Sequence, residues 1–322
     1  MTKKVPNAAR LIFNPNAGRK RNMGKKSTSL EDIVRLLERY QIPVELTPTK
    51  GPGDATKLAR EAVKLGYKTV LVAGGDGSVG ETANGLVGSD VSLGIIPIGT
   101  FMNTATMLSI PYDLEKAITL IKIGRTRKID MGILEKKDDK KSEKYYFIES
   151  AGIGLEAKMH RYVWKMERGN KNAIFGFLGD LFRYNRFNAK IQLDNNNLEV
   201  KTHMITVSNG PMSGASLKIA PDSKLNDHEL TVSVYMMNKF EILNFLARVF
   251  KGNNYFHPDV LTFKTKHARI ETDPPTRIHA DATFYHETPV EFSIWPNALN
   301  VICGFPESAE DNSLIKRTPL DA

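Results

Sequence analysis

Apolar and polar positions along the first 130 residues alternate between two periods. Residues 9–14 (ARLIFN) form an apolar run that stops at turn residues, the mark of a buried strand. Ser29 or Glu31 then opens a helix in which Ile33, Leu36, Leu37 and Tyr40 recur at i, i+3, i+4 and i+7. A short strand is expected at Val44 to Leu46, and Asp54 is placed to cap a second helix carrying Leu58, Ala62 and Leu65. Thr69 to Ala73 and Leu93 to Pro97 read as further strands; the helix between them ends near Gly85, and another runs from Asp113 to Ile123. Strands separated by single helices imply a parallel sheet with right-handed crossovers. Such sheets bind ligands at the carboxyl ends of their strands.

From about Lys128 the helical period gives way to strand-like runs. Ile129 to Leu134 and Tyr145 to Ser150 suggest a hairpin around the charged insert EKKDDKKSEK, expected as an exposed loop. More strands are expected at Ala189 to Leu193, Thr202 to Ser208, Leu230 to Met236, Val260 to Thr265, Ala268 to Thr272, Arg277 to Phe284 and Val290 to Ile294. Two helical stretches interrupt them, Gly154 to Tyr184 (with breaks at Gly169 and Gly176) and Lys239 to Phe250. The expected fold class is therefore α/β: a parallel α/β domain over residues 1–130, then a β-rich, mostly antiparallel domain over 131–305. The polar tail, residues 306–322, is assigned either to disorder or to a return to the first domain.

Charge and composition narrow the function. The chain has 322 residues, a net charge of +9 and a single cysteine, Cys303, which rules out an internal disulfide and suits a reducing compartment. No apolar run approaches the ~20 residues that span a bilayer, and the start of the chain has no apolar signal region. These features predict a cytoplasmic protein whose membrane contact, if any, is peripheral. The first thirty residues hold eight basic side chains and no acid. Basic charge favours polyanionic partners, but no helix-turn-helix, RNA-binding signature or zinc finger accompanies it, which argues against nucleic acid.

The chemistry concentrates in three loops, each directly after a strand. The stretch VLVAGGDGSVGETANGL (residues 70–86) runs from a strand into Gly74, Gly75, Asp76 and Gly77, with a helix expected from Ser78. Glycines let backbone approach a phosphate, and a helix N-terminus offers N–H donors and a positive dipole end. Gly75, Gly77 and Gly80 also fit G-x-G-x-x-G, but the loop does not follow the first strand and carries an aspartate. A carboxylate beside phosphates implies a cation between them, as Mg²⁺ provides. Asn14-Pro15-Asn16-Ala17-Gly18, followed by Arg19 and Lys20, ends the first strand, and Pro97-Ile98-Gly99-Thr100-Phe101-Met102-Asn103 ends another. Any one of these is an ordinary turn; three at one sheet edge make a ligand crevice.

Together, N-P-x-x-G, G-G-D-G-S with Glu81 four residues beyond Gly77, and P-x-G-T resemble the catalytic domain of diacylglycerol and sphingosine kinases. The likeness continues through Asp130, Ala151-Gly152-Ile153-Gly154, Ser208-Asn209-Gly210 with Gly214, and Ala220-Pro221. The resemblance implies a nucleotide-binding α/β domain, a β-sandwich-like domain and an active site in the cleft between them. It implies ATP at Asn14, Pro15, Asn16, Ala17, Gly18, Thr49, Gly75, Asp76, Gly77, Ser78, Glu81 and Thr100, with Asp76 also serving Mg²⁺ and catalysis. It implies a structural Mg²⁺ held by Asp227 and backbone oxygens of Lys224 and Glu229, although His228 stands where the family usually has glycine. The implied partners are ATP and a lipid alcohol at the inner membrane surface, and exposed strand edges would allow a homodimer.

Two positions depart from the family pattern. A gapless match places Asn103 where the family commonly has aspartate. Its Asp-Gly-Glu triplet, whose glutamate is the general base, becomes Asp281-Ala282-Thr283. Thr283 does not accept a proton at neutral pH, so Asp281 is the remaining catalytic carboxylate, on a strand whose His279, Asp281 and Thr283 would share a face. His279 is expected to be a satisfied strand histidine. These losses point to a slow kinase, or else to a nucleotide- and lipid-binding regulator without turnover. The aromatic and basic residues of Arg161 to Asn188 fit either a lipid interface or a buried amphipathic helix.

Overall fold

The computed structural model describes residues 7–15, 28–138, 141–167, 170, 172–214, 216–250, 257–281, 284–304 and 316–317. The chain forms two compact units, one of residues 1–129 with 297–322 and one of residues 130–296.

The first unit alternates strand and helix: β1 (Ala9–Phe13), α1 (Leu30–Arg39), β2 (Val44–Pro48), α2 (Asp54–Leu65), β3 (Thr69–Gly74), α3 (Asp76–Leu86), β4 (Ser92–Pro97), α4 (Asn103–Met107) and α5 (Leu114–Ile123). The strands are parallel in the order β2-β1-β3-β4. The chain steps from β1 to β2 in one direction and from β2 to β3 in the other, so right-handed crossovers put α1 and α2 on opposite faces. Accordingly α1 packs with α5, and α2 with α3. The strand side chains are the core: Leu11, Ile12, Val70, Leu71, Val72, Leu93, Ile95 and Ile96 are all buried.

Caps fix the helix starts. Ser29 and Asp32 form a reciprocal capping box at α1, and the Asp113 side chain accepts from the Lys116 amide at α5. At α2 the cap is Gly53 in a left-handed conformation, not Asp54; the Asp54 carboxylate instead accepts from the Lys50 amide at 2.8 Å. Helix α3 starts at Asp76, two residues earlier than expected, with Gly75 as its cap.

In the second unit follow β5 (Arg125–Asp138), which begins in the first unit, β6 (Lys141–Phe147), β7 (Ser150–Gly154), α6 (Leu155–Glu167), α7 (Ala173–Arg183), β8 (Phe187–Leu193), β9 (Asn197–Thr202), β10 (Met204–Ser208), β11 (Leu230–Tyr235), α8 (Lys239–Phe250), β12 (Val260–Thr265), β13 (His267–Asp273), β14 (Arg277–Ala280), β15 (Phe284–Glu287) and β16 (Val290–Ile302). One sheet runs β12-β11-β10-β7-β14-β15; facing it, β8 pairs with β9 and β13, and β13 with the first residues of β16. Their inner faces share one core, in which Ile153, Ile205, Val232 and Ile278 of one sheet meet Phe187, Ile191, Ile270 and Phe292 of the other. That is a β-sandwich.

Several boundaries differ from expectation. The charged insert is strand over its described residues, 135–138 and 141–144: Glu135 accepts from Ser142 at 2.6 Å and pairs with Lys144 at 3.6 Å across the β5–β6 pairing. Ser150 opens a strand of the opposite sheet instead of closing that hairpin. The run at 202–208 divides at His203, where Thr202 Oγ1 donates to the Tyr235 carbonyl at 2.6 Å. Gly176 does not break α7; it lies where a Cβ would come within 2.8 Å of the Tyr162 ring on α6, so it permits close helix packing. Strand β16 continues to Ile302, and its last residues pair in parallel with β4 (Asn300 with Ser92, Val301 with Leu93), so the second unit ends at Pro296 and not at residue 305. The short strand β17 (Lys316–Arg317) pairs with the start of β5 at Thr126 and Arg125.

Candidate active site

Strands β1 to β4 end at one level, and the loops after them form a single edge. The Asn14 amide donates to the Ala73 carbonyl at 3.3 Å, the Thr49 amide to the Phe13 carbonyl at 2.9 Å, and the Ile98 amide to the Gly74 carbonyl at 3.2 Å. Between β1 and β3 the strand order reverses, the position at which open parallel sheets leave a crevice for a ligand. Asn14 and Gly75 flank that point. Asn16, Ala17 and Gly18 lie outside the described residues.

Glycine is required at this edge by contact distances. A Cβ on Gly99 would lie 2.6 Å from the Gly75 Cα, so the loops after β3 and β4 meet backbone to backbone. A Cβ on Gly74 would lie 2.5 Å from Cβ of Ser78, which tucks the first turn of α3 against its own strand. Asp76 is the first residue of α3, and its Oδ1 accepts the Thr104 amide of α4 at 3.2 Å. The carboxylate is thus held beside the N-terminal amides of α3, where anionic phosphate is favoured by the helix dipole. Gly77 and Ser78 complete that turn, half-buried, and Glu81 lies one turn on with its carbonyl accepting from Thr56 Oγ1 at 2.8 Å. Thr100 is exposed on the neighbouring loop. Tyr112, not singled out from the sequence, ties that loop down: its hydroxyl donates to the Phe101 carbonyl at 2.5 Å and contacts Thr106 Oγ1 at 2.9 Å. Asn103 is 1% exposed and opens α4 directly after Met102, whose φ of 51° is left-handed.

In the second unit, Asp281 is locked to the backbone. Its two oxygens accept the Ile148 and Glu149 amides, each at 2.9 Å, and its own amide donates to the Ser150 carbonyl at 2.9 Å. With φ of 44° it lies just past the end of β14, so it does not continue the strand alternation from His279. Thr283 lies outside the described residues. Asn209 reinforces the same turn: buried, it donates through Nδ2 to the carbonyls of Asp130 (3.0 Å) and Ile148 (2.9 Å). Asn209 therefore braces the turn at 148–149 that also holds Asp281.

His279 is a buried strand histidine with its own partner, Glu156, 2.8 Å away. A Cβ on Gly152 would overlap the Glu156 carboxylate, so this glycine makes the pair possible. Burial alone lowers the His279 pKa, but Glu156, the Gly152 backbone and Asp281 together carry it above the ordinary value. The neighbouring His160, with its ring 4.6 Å away, is pushed down to about 3 by burial and by His279.

These motifs coincide with two family models. The diacylglycerol kinase catalytic domain matches residues 8–134, and the YegS C-terminal NAD kinase beta sandwich-like domain matches residues 149–303. Residues 8–134 are a diacylglycerol kinase catalytic domain, and residues 149–303 a YegS C-terminal domain. Diacylglycerol kinases of Staphylococcus haemolyticus (26% identical; 88% of this chain, 84% of the relative) and Staphylococcus carnosus (24%; 96% and 98%) are similar to it over nearly their whole length. The crystal structure of a diacylglycerol kinase from Bacillus anthracis has the same fold, with a TM-score of 0.70 at 23% identity over 92% of this chain and 97% of that one.

The family's two implied metal positions fare differently. At the sheet edge, one oxygen-donor carboxylate next to phosphate-binding amides suits Mg²⁺, which completes its shell with phosphate and water. Asp76 fits that role. In the loop at 224–229 the structure supplies a different cation. Lys264 Nζ lies 2.9 Å from Asp227 Oδ2 and 3.4 Å from Glu229 Oε2, and the hydrogen bond it donates to Asp227 raises its pKa despite desolvation. A divalent ion on the buried Asp227 Oδ1 would sit close to that ammonium, so the residues do not fit a structural Mg²⁺. His228 adopts φ of 60°, the region glycine favours, held by its amide and Nδ1 against the buried carboxylate of Asp130 at 2.8 and 3.0 Å. The strand register that puts Lys264 opposite Thr231 brings it to this loop, and no local motif signals it.

Two predictions follow from these charges. Mg²⁺ is expected to leave the melting temperature of the native protein unchanged without nucleotide and to raise that of Lys264→Met; a rise in the native protein would restore the metal site. The His279–Glu156 pair contributes in full below the ordinary histidine value of 6.5 and is lost as pH rises through the higher folded value. The stability lead of the native protein over Glu156→Gln, read from urea midpoints, should therefore shrink as pH rises above the ordinary histidine value of 6.5. A constant lead would contradict the ion pair.

Proposed function

We propose that this chain is an ATP- and Mg²⁺-dependent lipid kinase that transfers the γ-phosphoryl of ATP to a lipid hydroxyl. The observation that carries the reading is the β1–β4 edge, where Gly75 and Gly99 meet backbone to backbone and Asp76 is held at the start of α3. Backbone amides of Gly77 and Ser78 bind phosphate oxygens, Thr49 and Asn14 flank the nucleotide, and Asp76 holds the cation. Bound Mg²⁺ would neutralise charge on the phosphates. The acceptor oxygen forms a bond to the γ-phosphorus, the bond to the bridging oxygen breaks, and ADP leaves.

The acceptor proton has no carboxylate at position 283 to take it, and Asp281 spends hydrogen bonds from both oxygens on the backbone of residues 148 and 149. The proton therefore passes to water. General-base catalysis contributes ~10²–10⁴-fold, whereas phosphoryl transfer rests mainly on positioning and charge stabilisation. A slow enzyme results. This reading keeps turnover in the chain, in line with a family of kinases.

Transfer from γ-labelled ATP to diacylglycerol and other lipid alcohols in mixed micelles tests it. Native protein should label a lipid, Asp76→Ala should abolish the label, and Thr283→Glu should raise turnover by roughly 10²-fold. Nucleotide binding without labelled lipid in either native protein or Thr283→Glu would make the chain a binding regulator instead.

A further inference from the structure

Helices α7 and α8 are apolar on both faces. Inward, Phe177 and Leu181 of α7 and Ile242, Phe245 and Leu246 of α8 enter one buried cluster. Outward, Phe175 is 71% and Phe240 72% exposed, with Ile174, Phe182 and Leu243 beside them. On α8 the exposed Phe240, Leu243 and Ala247 follow i, i+3, i+7; on α7, Phe175 and Phe182 stand seven residues apart, with Ile174 beside Phe175. A helix that is apolar all round is normally covered on every side. The rings of Phe182 and Phe240 stand 5.5 Å apart, edge to face, so the two outward faces form one patch.

The patch is rimmed with positive charge. Arg183 and Arg186 follow Phe182, and Lys239 precedes Phe240. Lys239 Nζ donates to the Phe182 carbonyl and Arg186 Nη2 to the Met236 and Met237 carbonyls, so these contacts hold the cations without cancelling their charge. His203 registers the field: burial first, then Arg186 and Lys239, lower its pKa. The acids of these helices face elsewhere, Asp180 toward the Tyr162 hydroxyl at 2.7 Å and Arg161 at 3.3 Å, and Glu241 toward the Asn238 amide at 2.7 Å.

We propose that this face docks on an anionic bilayer, inserting Phe175, Phe182, Phe240 and Leu243 at the level of the headgroups while Arg183, Arg186 and Lys239 meet lipid phosphates. Exposed aromatics ringed by cations are the chemistry of interfacial attachment. A second copy of the chain is a poor occupant, because a two-fold contact through this patch would bring like charges together. The proposal rests on the lipid-kinase reading only for its purpose, since a substrate whose tails stay in the bilayer requires such contact.

Flotation of the full chain with vesicles of phosphatidylcholine alone, or with added phosphatidylglycerol, tests it. Native protein should float with the anionic vesicles. Phe175→Ser with Phe240→Ser should lower that affinity by at least about tenfold, and Arg186→Gln with Lys239→Gln should remove its dependence on phosphatidylglycerol. Transfer to a short-chain, water-soluble lipid alcohol should be unchanged in both variants. Vesicle binding unaffected by either pair overturns the proposal, as does a native dimer that Phe175→Ser with Phe240→Ser renders monomeric without any vesicle binding. If vesicle binding falls as expected while no form transfers phosphate to the soluble alcohol, the docking face stands and the kinase reading fails.

Discussion

Two glycines, Gly75 and Gly99, touch backbone to backbone across the carboxyl edge of a parallel sheet, and the first unit is arranged around that approach. At position 99 the contact is open only to a residue without a Cβ, and it draws the loops after β3 and β4 into one surface. Asp76 follows within the same turn and reaches the amide of Thr104; Tyr112 pins the intervening segment from the other side. The edge is therefore set before any ligand arrives, and its donors and its one carboxylate are held by the scaffold. Such preorganisation is what phosphoryl transfer chiefly needs.

Buried polar groups play the corresponding part in the second unit. Asp281 and Asn209 grip the backbone of residues 148 and 149 from two sides, and Asp130 receives His228. Asp130 is fully buried, and loss of His228 would strand its carboxylate out of water. The same economy governs the loop at 224–229, where an ammonium from β12 stands against Asp227 and Glu229.

The parallel sheet was legible because its strands are continuous apolar runs and its helices keep a 3.6-residue period. The cluster of loops at the sheet edge was legible because glycine and aspartate follow strands directly. Features set by register or by distant contacts were hidden. Lys264 reaches Asp227 only through the β11–β12 pairing, and the left-handed turn at Asp281 interrupts an alternation that reads as one strand. The charged insert at 135–144 reads as loop by composition but pairs across a hairpin. The stretch from Arg161 to Asn188, which holds α7, reads from sequence equally as core or as interface; the exposure of Phe175 adds what the pattern lacks.

The central claim is that nucleotide phosphates bind the turn from Gly75 to Gly80. Amide hydrogen exchange with and without ATP and Mg²⁺ measures this directly, independent of turnover or acceptor. The account predicts slower exchange at the amides of Gly77, Ser78 and neighbouring residues of α3, together with the loop at Gly99 and Thr100. Unchanged exchange there, with protection elsewhere in the chain, would contradict it.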